Sequence, residues 1–121
     1  MKSCPLVSVI VNCHNGEKYL ANCIKSILNQ RFRNFEIIFW DNCSSDSSKK
    51  IINGFKDKRI KKFFSTKFVK LYSARNQAVK KSNGKYLSFL DVDDLWKSNK
   101  LSEQIKVLKK KKDIKIVYSN Y

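Results

Sequence analysis

Three short stretches of this chain are apolar almost without interruption, at residues 6–11, 35–40 and 86–90. They are rich in Val, Ile, Leu and Phe, and they lack the strict alternation of a strand with one wet face. Each therefore predicts a β-strand buried on both sides, the kind found inside a parallel sheet. The segments between them carry apolar residues at helical spacing. Residues 17–30 place Leu20, Cys23, Ile24, Ile27 and Leu28 on one stripe. Ser44, Ser45 and Asp46 offer N-cap chemistry to a helix carrying Ile51, Ile52 and Phe55. Residues 71–81 predict a helix with Leu71, Ala74, Ala78 and Val79 inward, stopped by Asn83 and Gly84. Leu101, Ile105 and Leu108 mark another helix. Residues 60–64 read as a shorter, more exposed strand because lysines interrupt them, and 114–118 as a last strand.

Alternating strands and helices of this kind predict an α/β fold, a mostly parallel sheet with helices on both faces. Right-handed crossovers carry the chain from the first strand to the second and third. The fourth must then return to the other side of the first, creating a switch point at whose carboxyl edge ligands bind. The polar clusters of the chain converge on that edge: residues 12–17, 41–46 and 91–94. With 121 residues, 3 Gly and 1 Pro, the chain predicts one domain over 1–121 with no linker.

The formal net charge of +16 favours polyanionic or phosphorylated ligands, or an anionic membrane surface. A basic nucleic-acid-binding module is the alternative it raises. The aromatics, however, fall at buried strand positions rather than among the lysines, and an acidic cluster would repel a polyanion at the crevice. The lysine-rich segment 97–112 is a candidate for peripheral contact with an anionic membrane. No run approaches the ~18 apolar residues of a membrane span. The N-terminus lacks a secretory pattern, so a cytoplasmic location is expected, with the inner face of the membrane as its possible station. Cys4, Cys13, Cys23 and Cys43 form no C-x-x-C pair, so a zinc centre is not expected.

Asp91, Asp93 and Asp94 crowd three carboxylates into four residues. Two readings are open on that segment alone: a polar loop before the next helix, or a divalent cation site completed by phosphate oxygens. The first loop has neither a glycine-rich phosphate fingerprint nor a P-loop lysine, so a bound phosphate would need a metal. Amide and carboxylate groups on the first two loops suit a base edge and ribose hydroxyls. Together these describe a nucleotide-sugar site.

At four places, in order and at matching intervals, the residues resemble family 2 glycosyltransferases. These are Val9-Ile10-Val11-Asn12-Cys13-His14-Asn15-Gly16-Glu17-Lys18-Tyr19-Leu20 with Ser26 to Gln30, then Phe35 through Asp46, Ala74-Arg75-Asn76-Gln77-Ala78, and Gly84 through Trp96. The resemblance implies a GT-A, nucleotide-diphospho-sugar transferase-like fold, here truncated. It also implies transfer of a sugar from a nucleotide-diphosphate donor to a glycan or lipid-linked acceptor. By position, Asp91 and Asp93 match the Asp-x-Asp motif that holds Mg²⁺ or Mn²⁺, with Asp91 on metal or ribose. Asp41 and Asn42 match the base-holding pair, with Asn15 and Glu17 nearby. Asn12 and His14 stand where many members have Pro and Tyr, and His14 is placed to stack on a base. Arg75 matches an arginine expected at phosphate or in support.

Family members continue into an acceptor half that carries the general base. After Asp94 the only carboxylate side chains are Glu103 and Asp113, neither at the expected position. The expectation is a donor-binding half with the acceptor half absent and no general base in the chain. A non-catalytic remnant of the fold is the alternative.

Overall fold

The structure is a computed structural model describing residues 4–113 and residue 117. Its first strand, β1 (Val7–Cys13), lies between two others, and helices on both faces bury nearly all its side chains. It pairs in parallel with β2 (Phe35–Asn42) from Val7 opposite Phe35 to Cys13 opposite Asp41, and with β4 (Tyr86–Phe89) from Val7 opposite Tyr86 to Ile10 opposite Phe89. β3 (Ile60–Ser65) pairs with β2 on its far side, giving the order β3-β2-β1-β4. The predicted switch point therefore falls between β1 and β4.

The helices are α1 (Leu20–Leu28), α2 (Ser48–Asn53), α3 (Leu71–Lys80) and α4 (Lys100–Lys110). The larger core lies on one face, where Val7, Val9, Val11, Ile37 and Phe39 meet Leu20, Ile24 and Ile27 of α1, Ile52 of α2, and Leu101 and Ile105 of α4. Each fully buried Ile, Leu or Val there contributes about 1.5–3 kcal/mol of burial. The opposite face carries α3, with Ile10, Ile38 and Ala78 at its centre and Trp40, Phe63 and Val79 around them.

At the amino edge, Glu36 is buried and its Oε2 accepts from Ser8 Oγ at 2.6 Å and from the Asn83 N–H at 2.7 Å. Ser8 Oγ in turn accepts from the Gly84 N–H at 2.8 Å. A Cβ at Gly84 would sit 2.6 Å from Ser8 N, so only glycine allows this turn to lead into β4.

The sequence pattern misplaces several features. β4 is not buried on both faces: Leu87 and Phe89 are 44% and 49% exposed. They point to the same face as Ser8 and Ile10, where α3 packs chiefly on β1 and β2. Leu71, expected inward, is exposed at the first residue of α3. α1 begins at Leu20, with residues 17–19 in a turn, and α2 begins at Ser48 with no side-chain cap from Ser47. Of the three residues expected to offer N-cap chemistry, Asp46 does so, its Oδ1 accepting from the Ser48 N–H at 2.9 Å. The strand expected at 114–118 lies outside the described residues, Val117 apart. Among the described residues, no helix is long and apolar enough to cross a membrane.

Candidate functional site

The loops leaving β1 and β2 are fastened to each other along the carboxyl edge. Three successive backbone N–H groups of the first loop donate to side chains of the second: Asn15 to Ser44 Oγ at 2.8 Å, Gly16 to Ser48 Oγ at 3.0 Å, and Glu17 to Asp46 Oδ2 at 3.1 Å. The return bonds run the other way. Asn15 Oδ1 accepts from the Ser45 and Asp46 N–H groups at 2.8 and 3.3 Å, and Glu17 Oε2 from the Ser47 N–H at 2.9 Å. Asn15 and Cys43 both adopt left-handed backbone, φ 50° and 57°, which turns each loop back towards the other. Desolvation raises the Asp46 carboxyl, but the bonds from Ser48 and Glu17 outweigh it and leave the group below its ordinary range.

Asn42 is buried and clamps a third segment. Its Nδ2 donates to the Val69 carbonyl at 2.7 Å and its Oδ1 accepts from the Val69 N–H at 3.0 Å. His14 bonds through Nδ1 to the Asn42 carbonyl at 2.7 Å, and its ring meets Phe68 edge-on at 4.5 Å. Asn15, Glu17, Asn42 and His14 thus use polar groups in holding loops together.

The acidic loop sits against the mouth of β1. Val92 packs on Gly16, where a Cβ would lie 3.0 Å from both Val92 and Cys13 Sγ. This contact sets Asp91 and Asp93 beside the fastened loops. One carboxylate oxygen from each of Asp91, Asp93 and Asp94 lies within 4.8 Å of the others, all on exposed residues. Arg75 of α3 donates to Asp91 Oδ1 at 3.1 Å. Carboxylates so close repel by about 1 kcal/mol per pair even at the dielectric constant of water. The donor set fits a hard cation: Mg²⁺-type ions take oxygen ligands at ~2.1 Å, and one or two carboxylates suffice when phosphate and water complete the shell.

Among the described residues, three buried polar atoms have no hydrogen-bond partner: Asn12 Nδ2, Trp40 Nε1 and Asp41 Oδ1. All belong to the last positions of β1 and β2. Asn12 and Trp40 are register partners on the α3 face, and Asp41 opposes Cys13 on the other. The second Asp41 oxygen accepts from the Ser44 N–H at 3.0 Å. A buried polar atom left unpaired costs about 1–3 kcal/mol, so three at one edge make it a candidate for receiving outside groups. Trp40 and the Val69 segment were not among the residues read from sequence. The only signal for Trp40 was an indole at the end of a buried strand.

The neighbouring thiols, Cys13 and Cys23, are both buried. Burial raises Cys13, and Cys23 is pushed up to about 12, first by burial and then by Cys13 and the Asp94, Asp91 and Asp93 carboxylates. A groove of about 680 Å³ adjoins the acidic cluster on the β4 side, lined by Phe89, Asp91, Asp94, Trp96 and Glu103 among others. Glu103 is paired there with Lys106 at 3.7 Å. The apolar stripe of α4, Leu101 and Ile105, is buried in the core and so is not free to enter a membrane.

Comparison with known proteins agrees with this arrangement. The chain is 37% identical over 116 residues to the UDP-Glc:alpha-D-GlcNAc-diphosphoundecaprenol beta-1,3-glucosyltransferase WfgD of Escherichia coli, covering 96% of this chain and 46% of WfgD. It is 33% identical over 118 residues to the glycosyltransferase GlyG of Streptococcus pneumoniae, covering 96% of this chain and 39% of GlyG. The chain thus spans less than half the length of these relatives. Among solved structures, S. aureus TarS 1–349 in complex with UDP-GlcNAc superposes with a TM-score of 0.80 at 27% identity, over 87% of this chain and 31% of that one. The mannosyltransferase PcManGT of Pyrobaculum calidifontis, solved with GDP-Man and Mn²⁺, shares the fold at TM-score 0.80 and 22% identity, over 88% of this chain and 33% of that one. The family model for glycosyl transferase family 2 matches residues 8–120. With the GT-A sheet order and this match along nearly its whole length, the chain belongs to glycosyl transferase family 2.

Proposed function

We propose that this chain is the donor-binding part of a glycosyltransferase that moves a sugar from a nucleotide-diphosphate donor to a glycan or lipid-linked acceptor, at the cytoplasmic face of a membrane. The observation that carries the reading is the buried, unpartnered Asp41 Oδ1 on the same sheet edge as the Asp91, Asp93 and Asp94 carboxylates. One end offers an acceptor to a base or ribose, and the other offers hard oxygens to a cation bearing a diphosphate. TarS, of the same fold, is solved with UDP and with UDP-GlcNAc, and the WfgD name specifies a UDP-sugar donor and a polyprenol-linked acceptor. Both support a uridine nucleotide here.

In this reading Asp41 and Asn12 receive the nucleoside, with His14 at its rim. Asn15, Glu17 and Asn42 hold the loops that shape the slot. Asp93, with Asp91, holds Mg²⁺ or Mn²⁺, which when bound stabilises negative charge on the leaving diphosphate. Arg75 holds Asp91 in place and adds positive charge beside the phosphates. Calorimetry with Mn²⁺ and a panel of UDP, dTDP and GDP tests the proposal. Binding of at least one nucleotide, strictly dependent on metal and abolished by Asp93→Ala, is expected. No heat from any of the three would overturn it.

A further inference from the structure

The 33 residues from Lys58 to Leu90 hold ten Lys or Arg and no Asp or Glu. The same stretch carries Phe68, Leu71 and Tyr72, exposed at 61%, 53% and 64%. These three fall within five residues, on the β3–α3 connection and the first turn of α3, next to the exposed Lys67 and Lys70. Exposed aromatic and aliphatic tips interleaved with lysines and free of carboxylates form a surface complementary to an anionic bilayer: the apolar groups enter the interface and the ammonium groups stay at headgroup level.

The backbone presenting these tips is pinned. Asn42 grips both polar groups of Val69, Ser65 Oγ donates to the Lys67 carbonyl at 2.6 Å, and Phe68 leans on His14. A rigid apolar knob loses less freedom on docking than a loose loop would. By contrast, the lysines of α4 sit on a helix whose Leu101 and Ile105 are buried in the core, which leaves little more than Val107, at 38% exposure, to insert.

We infer that Lys67, Phe68, Lys70, Leu71 and Tyr72 form a docking surface for an anionic phospholipid membrane. Because Phe68 touches His14 and Asn42 grips Val69, docking there would set the nucleotide loops at the bilayer surface. The inference deepens the proposed reading, since that is where a lipid-linked acceptor would be met, but it stands on surface chemistry of its own.

The test is co-sedimentation of the full chain with vesicles of phosphatidylcholine alone and of phosphatidylcholine with one quarter phosphatidylglycerol, at about 0.1 M salt. Binding to the anionic vesicles only is expected. Lys67→Gln with Lys70→Gln should weaken it by roughly 25-fold, at about fivefold per cation. Leu71→Ser with Tyr72→Ser should weaken it at least tenfold, while Lys109→Gln with Lys110→Gln should change it by less than threefold. Circular dichroism confirms that each variant is folded. Absence of binding by the wild type, or equal loss from the α4 pair, would overturn the inference. So would wild-type binding by the Leu71/Tyr72 variant together with full displacement by random RNA, which would show a generic polyanion surface. Asp93→Ala should bind vesicles like the wild type, so failure of nucleotide binding and failure of docking are read separately.

Discussion

Replacing Asn15 tests whether the fastening between the first two loops is structural. Its Oδ1 accepts from two backbone N–H groups of residues 45 and 46, at 2.8 and 3.3 Å. A neutral hydrogen bond is worth about 1 kcal/mol net, and the longer one less, so Asn15→Ala loses about 1–1.5 kcal/mol in an exposed loop that water can re-enter. The backbone adds a second cost. At φ 50° asparagine is tolerated, whereas an ordinary residue with a Cβ costs about 1 kcal/mol more. The expected total is about 2–2.5 kcal/mol, or roughly 8–10 °C in melting temperature for a chain of this size.

Two companions divide the terms. Asn15→Gly removes the acceptor but accepts the left-handed turn, so it should cost about 1–1.5 kcal/mol. Asn15→Asp keeps both and adds a charge near Asp46 and Glu17, so its cost should stay below about 1 kcal/mol and shrink with salt. Urea unfolding followed by circular dichroism gives the order Ala, then Gly, then Asp. Equal losses for Ala and Gly would remove the backbone argument. All three within about 0.5 kcal/mol of wild type would show that the loops are held by something else. A nucleotide titration beside the unfolding curves tells a loop holder from a ligand contact, because a holder lowers the stability of the nucleotide-free protein.

Other outcomes follow from the same geometry. Gly84→Ala forces a Cβ to within 2.6 Å of Ser8 N and breaks the Glu36–Ser8–Gly84 chain, so it should cost at least about 3 kcal/mol in urea unfolding; a loss below 1 would refute the close approach. Arg75→Gln breaks an exposed ion pair worth about 0.2–1 kcal/mol, so unfolding should barely move while nucleotide affinity falls; a loss above 2 kcal/mol would make the pair a structural tie instead. Asp57 is lowered, first by its hydrogen bond from Arg59, and Asp46 is lowered too. Groups depressed on folding contribute stability that is complete above the unfolded aspartate value of about 3.9 and is lost as pH falls through their lower folded values. Melting temperature against pH should therefore fall below about pH 4, and fall less steeply in Asp46→Asn with Asp57→Asn; an unchanged slope would contradict the shifts.

The central strands were legible because Val9, Val11, Ile37 and Phe39 are buried by the simplest rule available, a run with no wet face. The same rule misreads β4. Leu87 and Phe89 satisfy the pattern, yet burial needs a helix overhead, and α3 lies over β1 and β2. Local pattern cannot tell an edge strand from a central one. At the site, sequence found the polar positions but not their partners. Asn15 and Glu17 bond to residues about 30 positions away, and Asn42 to Val69, 27 away; such pairings depend on how two loops lie after the sheet forms. Glu36 was hidden for a similar reason: a charged residue inside an apolar run looks like noise until Ser8 and Asn83 arrive beside it.

Which polar groups are already satisfied decides how the edge is read. A loop cluster this dense in amides, hydroxyls and carboxylates has enough partners to saturate itself, and mostly it does. Asn42 has both ends of its amide committed to Val69, and Asn15 and Glu17 hold backbone N–H groups across the gap. Against that background the unpaired Asp41 Oδ1 stands out, because a further serine or backbone N–H could have closed it and none does. The acidic trio is similar in kind: among the described residues one guanidinium, on Asp91, pairs with the three carboxylates in a chain with a net charge of +16. A fold with so many lysines had cations available to place there. Leaving those oxygens facing solvent at the mouth of β1, with Val92 locking the loop onto Gly16, is what a surface needs if a cation and its anionic cargo are to arrive from outside.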